Sequence, residues 1–524
     1  LKKGVAIYGG FAGTETSPAD RKSSQFDFES SILSGDLANN DNSGTHTDNS
    51  YNVVTADNVD GTAILDGFTI RAGYADGNAT GFNDRGAGLV GSNCSATLRN
   101  LTFEDNHANL VGGAMYLNVG TPSMSDLVFR HNDSDGNGGA AYLNQVDGDL
   151  TNLLFEGNRS TGTSGGAVYL RGDMTIYNAA FVGNVAADGT GSIIYCHPDG
   201  AGTLVNATLT ANDGSGIDFT GSLVVQNSIL WSNSGANYVG SPAAGSANNS
   251  TVDPVFVQNP DPGDGSWQTT LDNNYGDLRP QRNSPVLEQG NNSFNASLTD
   301  VAGADRKIGT IEMGAYEFVK RIYVDVKATA GDETGYSWQH AYTDLQDGLA
   351  ASTAGYEIWV ARGTYLPSQT EDRDASFRLK PGVNVYGGFG GNTFLGSGDP
   401  FDQAVYLETA RDQRITDPLK GTTILSGDLL GDDNEGWEMI GSPENYEDNS
   451  KIVVRAAGNG ERVLDGFIVQ GGSGGDSGPS TVATLEQPAG IFVGSGNLTV
   501  RNLSLIHISE PTRHDSGSRM PSSA

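Results

Sequence analysis

The chain has 524 residues, with 30 Lys and Arg against 63 Asp and Glu, for a formal charge of −33. That balance excludes nucleic acid as a natural partner and argues against adsorption to an anionic membrane, while it fits a soluble surface that would accept divalent cations. No run of about 18 apolar residues occurs, so no transmembrane helix is expected.

The opening segment Leu1 to Phe11, LKKGVAIYGGF, returns as Leu379 to Phe389, LKPGVNVYGGF; ILSGDL at 32–37 returns at 424–429, and LDGF at 65–68 returns at 464–467. The copies are colinear, so the chain reads as a tandem of two large units. Asp36, Asp41, Asp428, Asp432, Asp433 and Glu435 lie in acidic loops that could hold calcium, without the spacing of an EF-hand. The chain opens on Leu1 and reads as an internal fragment, so the lack of a signal peptide says nothing about export.

From Gly86 to Asn233 the sequence repeats with a period near 26 residues. Anchored on Asn106, Asn132, Asn158, Asn184, Asn212 and Asn233, three positions earlier stand Phe103, Phe129, Phe155, Phe181, Leu209 and Leu230. Five earlier come Leu101, Leu127, Leu153, Ala179, Ala207 and Ser228; six earlier come Asn100, Asp126, Asn152, Asn178, Asn206 and Asn227. Eight earlier come Leu98, Met124, Leu150, Ile176, Leu204 and Val225. Positions minus five and minus three face one way in a strand of period two, so both point inward. Asn at minus six tolerates the left-handed conformation of a sharp corner and predicts a bend where the strand begins. A second strand is expected at 112–117, 138–143, 165–170 and 191–196. No copy can bury its apolar face alone, so the copies must stack. Short strands with corners at Asn and Gly and no helical period make an all-β fold, a parallel β-helix, with the right hand expected from strand twist. Gly, at 73 residues, is about twice ordinary usage and fits corners in every coil. Cys94 and Cys196 stand about four rungs of roughly 4.8 Å apart, too far to pair, and Cys196 shares the core column of Leu117, Leu143 and Leu170.

Two columns could carry chemistry. Asp147, Asp173 and Asp199 are each 26 apart, and Arg171 is a nearby candidate base. Stacked carboxylates either make solvated turns or bind a bridging cation such as calcium. Tyr116, Tyr142, Tyr169 and Tyr195 alternate with the Leu117 column and so line the outside if Leu points inward. They are either a platform for sugar rings or a self-stacking ladder that stiffens the sheet. His107 and His131 do not share a column and read as solvated loop residues. There is no phosphate loop, HExxH or CxxC metal motif, or Ser nucleophile elbow.

The closing stretch of the first unit contains SPVLEQGNN (284–292), TDVAGADRKIG (299–309) and TIEMGAYEF (310–318). It resembles the end of secreted bacterial β-helix proteins of the choice-of-anchor Q type, with pectin-lyase-like fold. Asp300, Gly303 and Arg306 match that family's TD-x-x-G-x-x-R loop, and Gly314, Ala315, Tyr316 and Glu317 its last strand. Leu287, Glu288, Gln289 and Glu312 depart from the pattern. The resemblance implies export to the cell surface or medium and no settled activity. β-Helix polysaccharide lyases bind calcium between acidic residues of adjacent coils with an Arg or Lys base, which gives the Asp147, Asp173, Asp199 and Arg171 set a possible enzymatic role.

The second unit begins with a cap. Strands are expected at 322–326 and 357–365, and an amphipathic helix from Trp338 to Leu349 with Trp338, Tyr342, Leu345 and Leu349 on one face. Such a helix covers the open end of a stack. The stretch from Phe389 to Gly441 is expected to project as a loop. The end, LSLIHISEPTR through RMPSSA, resembles the translation of a sequencing adaptor and is set apart from the fold, His507 included. The domain reading is therefore 1–250 first β-helix with its N-terminal cap missing, 251–320 closing coils, 321–378 cap of the second unit, 379–502 loop-rich start of a truncated second β-helix and 503–524 non-native. The expected function is an exported, non-catalytic adhesive protein that binds a polysaccharide or cell-surface glycan. The alternative is a calcium-dependent polysaccharide lyase or related hydrolase.

Overall fold

The computed structural model describes residues 1–17, 21, 31–41, 44–77, 80–269, 272–304, 306, 310–329, 332–391, 411, 414–417, 422–432, 448–473 and 490–505. They form two compact units, Leu1–Val319 and Lys320–Ala524.

The coils of the first unit follow from a parity problem. Leu98, Leu101 and Phe103 are all fully buried in one core. Positions 98 and 101 would face opposite sides of a regular strand, because side chains alternate with period two. Asn100 resolves the conflict by adopting a left-handed backbone, and every residue in its column does the same, with φ between 51° and 59°. The bend therefore lies inside single strands such as Thr97–Glu104, Ser123–Arg130 and Asp173–Val182, and not at their start as the sequence suggested. These strands pair in parallel and in register, Leu98 with Met124, Leu150, Ile176 and Leu204 in turn. Ten strands join this bent sheet among the described residues.

A second sheet runs through Met115–Gly120, Ala141–Val146, Ser164–Arg171 and Ser192–Cys196. Its first two strands start about three residues later than expected because Gly112 and Gly138 are left-handed turn residues, with φ of 64° and 69°. A third, short sheet stacks Tyr74–Ala75, His107–Ala108, Asp133–Ser134, Arg159–Ser160 and Val185–Ala186. Three parallel sheets, each advancing one strand per coil, make the fold a parallel β-helix.

Inside, Phe103, Phe129, Phe155 and Phe181 stack with centroids 5.1, 4.8 and 4.6 Å apart. The anchor asparagines form a buried ladder, each Nδ2 donating to the Oδ1 of the next at 2.8–3.0 Å from Asn106 to Asn233. This satisfies the polar groups that a coil corner would otherwise bury unpaired. Cys94 and Cys196 are buried free thiols in this core.

The closing segment folds back on the outer face of the bent sheet. Phe256, Leu278, Val286, Val301 and Ala315 pack on outward-facing Val128, Leu154, Ala180 and Ile229. Asn178 and Asn227 donate to the carbonyls of Thr299 and Asn291. The motif residues hold this turn together: the Asp300 carboxylate accepts from the amides of Ala302, Ala304 and Glu317, and buried Arg306 donates to Glu317 at 2.6 Å and to the Gly314 carbonyl at 2.7 Å. Gly314 has φ of 94°, and a Cβ there would stand 2.6 Å from Ile229.

In the second unit, Arg321–Val324, Glu357–Ala361 and Asn384–Phe389 are successive parallel strands. The helix spans only Leu345–Ala351, capped by the Asp344 carboxylate on the Gln346 amide. Trp338 is buried but lies in a turn, and Tyr342 forms a bridge with Val324. The aspartate N-cap starts the helix later than the apolar spacing implied, and the helix runs on past Leu349 to Ala351. Leu503–Leu505, expected outside the fold, extend the strand Asn497–Leu505 along Phe467, Ile468 and Val469. An apolar, alternating segment can propagate a parallel edge whatever its origin. Asp433, Glu435, most of the 389–441 stretch and 506–524 with His507 lie outside the described residues.

Candidate functional site

With the bent sheet covered by the closing segment, the outward faces of the second and short sheets remain as long, coil-repeated surfaces. On the second sheet the strands alternate, so Leu117, Leu143 and Leu170 enter the core and the tyrosines point out. Tyr116, Tyr142, Tyr169 and Tyr195 align across the strands and stack at 5.8, 4.1 and 5.0 Å. Tyr116 and Tyr169 are only 6% and 7% exposed, and Phe82 and the Arg85 guanidinium close the stack at the Tyr116 end. Of the two readings of this column, the rings form the self-stacking ladder: their faces meet one another along the coil axis, and the surface receives ring edges and hydroxyls. Burial, then the neighbouring Tyr142 hydroxyl, pushes the Tyr169 phenol well up, so it stays a neutral hydroxyl.

Two residues along each strand, on the same face, runs a second column of Ser92, Asn118, Asn144 and Arg171. Asn144 donates to Asn118 Oδ1 at 2.6 Å, and Arg171 donates to Asn144 Oδ1 at 3.3 Å and to the Asp199 carboxylate at 2.8 Å. This polar column was missed in sequence; the same offset as the tyrosines, shifted by two, would have shown it.

The acidic column breaks up. Asp147 lies one rung from Asp173, whose amide donates to the Asp147 carboxylate at 2.7 Å, but Asp173 pairs with Ala201 and not with Asp199. The interval between Asp173 and Asp199 equals one repeat in sequence, but the coil there has two extra residues before its anchor, and Asp199 sits in the turn with Arg171 and His197. The carboxylates of Asp147 and Asp199 are thus engaged by an amide and by a guanidinium, and the donor set does not fit a calcium ion.

The short sheet aligns Tyr74, His107, Asp133 and Arg159 across successive strands. The Tyr74 ring stacks on His107 at 4.7 Å, His107 Nδ1 meets the Asp133 carboxylate at 2.9 Å, and Arg159 reaches Asp133 at 3.5 Å. His107, Asp133 and Asp135 each offer a ligand atom within 4.8 Å of the others. Burial opposes the charged imidazole, but the Asp133 hydrogen bond and charge outweigh it and raise its pKa. His131 is held by Tyr275 of the closing segment, Nε2 to hydroxyl 2.9 Å, and burial followed by the Arg130 charge lowers its pKa to about 4. Neither histidine is the solvated residue expected: His107 and Asp133 each follow an anchor asparagine by one and share the 26-residue period, whereas His131 meets Tyr275 from the closing segment, a contact that its spacing could not show.

The acidic loops recur in both units. Asp428, Asp432 and Asp448 bring carboxylates within 4.8 Å of one another. In the first unit Asp36 accepts from the amides of Asn40 and Asp41, and Asp48 from that of Ala38.

No protein-family model matches the chain, and no curated protein matches it. Two solved structures, of the PL6-family alginate lyase AlyGC and of a mutant of it, align at 11% and 10% identity. They cover 86% and 87% of this chain and 68% and 70% of theirs, each with a TM-score of 0.17. So low a score carries no argument about the site. No helix among the described residues is long and apolar enough to cross a membrane.

Proposed function

We propose that the protein is a non-catalytic, exported surface protein that binds a polysaccharide along the outer face of the second sheet. One observation carries this reading: the tyrosine column and the Asn118, Asn144 and Arg171 column run side by side at rung spacing on one face. A chain of sugar units laid along the coil axis would meet the same pair of polar columns on each rung. The contacts are hydrogen bonds from amides, guanidinium and phenol, because the ring faces are already used. The net charge of −33 favours a neutral glycan over a polyanionic one. A tandem of two such units adds reach and avidity, which serves adhesion better than turnover. Export and membership of the choice-of-anchor Q type rest on the Asp300, Arg306 and Gly314 to Glu317 motif. Cell fractionation of an expressing bacterium tests export.

The binding test is a glycan array probed with the full chain, the double variant Tyr142→Phe with Tyr169→Phe, and Arg171→Ala. Two lost hydroxyl contacts at about 0.5–1.5 kcal/mol each weaken binding by roughly tenfold, with the ladder intact. Unchanged binding by both variants would remove the second-sheet face from consideration.

A second reading rests on the His107, Asp133 and Asp135 cluster beside Tyr74 and Arg159, which places an acid–base pair and a cation on one open column. It makes the protein a polysaccharide-cleaving enzyme. Release of ultraviolet-absorbing unsaturated uronates by the wild type, lost in His107→Ala, would favour it over adhesion.

A further inference from the structure

The paired columns on the second sheet occupy four rungs and stop. Tyr116 with Asn118, Tyr142 with Asn144, Tyr169 with Arg171 and Tyr195 with His197 each place a phenol and a long polar side chain two residues apart on one face. The His197 amide donates to the Leu170 carbonyl at 2.9 Å, and the His197 ring meets the Tyr169 ring at 6.0 Å, so the fourth rung stays in step with the third. One rung to either side the pattern is gone. Before Tyr116 the register puts Val90, which is 3% exposed. At that end Phe82 leans on the Tyr116 ring at 5.7 Å, and Arg85, bound to Asp84 at 2.7 Å, stands over both rings. After Tyr195 the register puts Asp218, whose carboxylate accepts from the Thr220 amide at 3.0 Å and from the Thr220 hydroxyl at 2.7 Å. The face is therefore walled at one end and closed on itself at the other.

We propose that these four rungs hold four successive sugars of a neutral, extended β-1,4-linked glycan. The proposal rests on the reading that the second sheet binds a polysaccharide, and it adds the length and the linkage. Rungs repeat at about 4.8 Å, and a pyranose joined through equatorial bonds at both ends advances by about that much per unit and runs straight. One sugar then stays in step with one rung across the site. An α-1,4-linked chain curls and leaves the row. Each rung offers a phenol together with an amide, guanidinium or imidazole, which suits the mixed donor and acceptor hydroxyls of a sugar. The charges point to a neutral chain: Arg85 is matched by Asp84 at 2.7 Å and Arg171 by Asp199 at 2.8 Å, so neither guanidinium has charge to spare for a uronate.

The test is calorimetric titration of the full chain with cello-oligosaccharides and manno-oligosaccharides of two to six units, with maltohexaose as the curled control. Affinity should rise about two- to tenfold for each unit added up to four, as each new sugar gains a hydrogen bond. From four to six units only the choice of register remains, a gain of about threefold. Maltohexaose should bind at least about tenfold more weakly than the best hexamer. Asn144→Ala, in the middle of the site, should weaken the tetramer and the hexamer alike, because a site of four rungs leaves a longer chain nowhere else to bind. Affinity that keeps climbing steeply beyond four units, a hexamer that escapes the Asn144→Ala loss, or a preference for maltohexaose overturns the four-sugar site while the second-sheet reading stands. Binding that neither Asn144→Ala nor Arg171→Ala weakens overturns that reading and this proposal together. Absence of binding by every probe overturns the β-1,4-linked class, and the glycan array then decides the reading beneath it.

Discussion

Replacing Asn158 by Ala tests whether the buried asparagine ladder holds the coils together. Asn158 is fully buried and makes four hydrogen bonds: its Nδ2 donates to Asn184 Oδ1 at 2.9 Å and to the Phe129 carbonyl at 2.8 Å, and its Oδ1 accepts from the amide and the Nδ2 of Asn132, both at 3.0 Å. Alanine strands these partners in a dry interior, where each orphaned group costs about 1–3 kcal/mol. Asn132 Nδ2 keeps the Phe103 carbonyl, so its share is discounted. The expected loss is about 3–5 kcal/mol, much more than an isolated surface amide provides. In a solenoid the damage should centre on the mutated coil and its neighbours, because each repeat touches only the next. Hydrogen exchange in increasing urea, read on peptides across 97–231, gives both the magnitude and its spread. Asn144→Ala is the control, since Asn144 is half-buried and belongs to the outward column, and it should cost less than about 1 kcal/mol. Equal effects at the two sites, or a loss at Asn158 below 1 kcal/mol, would refute the reasoning.

Arg306→Ala should destabilise the closing segment by about 3–5 kcal/mol, because it takes the guanidinium away from the buried Gly314 carbonyl and Glu317 carboxyl; limited proteolysis at residues 251–318 reads the release. Gly314→Ala should do the same through overpacking and a strained left-handed backbone, at about 2–4 kcal/mol in urea melts of that segment. His131 has its folded pKa lowered to about 4 against an ordinary 6.5, so its contribution is whole above pH 6.5 and fades as pH falls toward 4. That amounts to about 3 kcal/mol, and a His131→Gln chain should show a flatter stability profile between those pH values. Asp66→Asn should cost about 2–4 kcal/mol, measured by urea unfolding of the first unit, since Asp66 is buried with Arg21 at 2.9 Å and Arg99 at 2.8 Å.

The coil was legible because its columns recur over six copies, and repetition converts weak local preferences into a register. What escaped was the three-dimensional use of each column. The Asn100 column announced a bend, but only the demand that Leu98 and Leu101 both point inward places that bend within the strand. The tyrosine column was readable as outward, yet ring orientation depends on rungs close enough for the faces to stack, and strand alternation does not specify that. Asp199 misled because equal spacing in sequence is equal spacing in space only while every coil has the same length. His107, Asp133 and Arg159 each follow an anchor asparagine by one, so their alignment was legible in the 26-residue period, but the residue type changes from coil to coil and no column stood out.

The duplication also reveals an element whose sequence gave no sign of it. In the first unit buried Asp66 holds Arg21 at 2.9 Å and Asn100 at 2.8 Å, while Arg21 Nη1 donates to the Gly9 carbonyl. In the second, Asp465 holds Arg414 and Asn502, each at 2.8 Å, while Arg414 Nη1 donates to the Gly387 carbonyl. The two arginines sit in loops of unlike sequence and are displaced by 393 positions, fifteen more than the strand offset of 378, so no alignment of motifs pairs them. What is shared is the receptor: a carboxylate in LDGF followed by a glycine with φ near 87°, where a Cβ would stand 2.7 Å from the guanidinium at Gly67 and 2.6 Å at Gly466. Burial works against the Asp66 charge, and Arg21, Asn100 and Arg99 together overcome it and hold its carboxyl below the usual range. A buried carboxylate with a glycine-cleared approach accepts any arginine that a loop can deliver. The sequence around the arginine can then vary while its guanidinium returns to the same carboxylate and carbonyl in each unit.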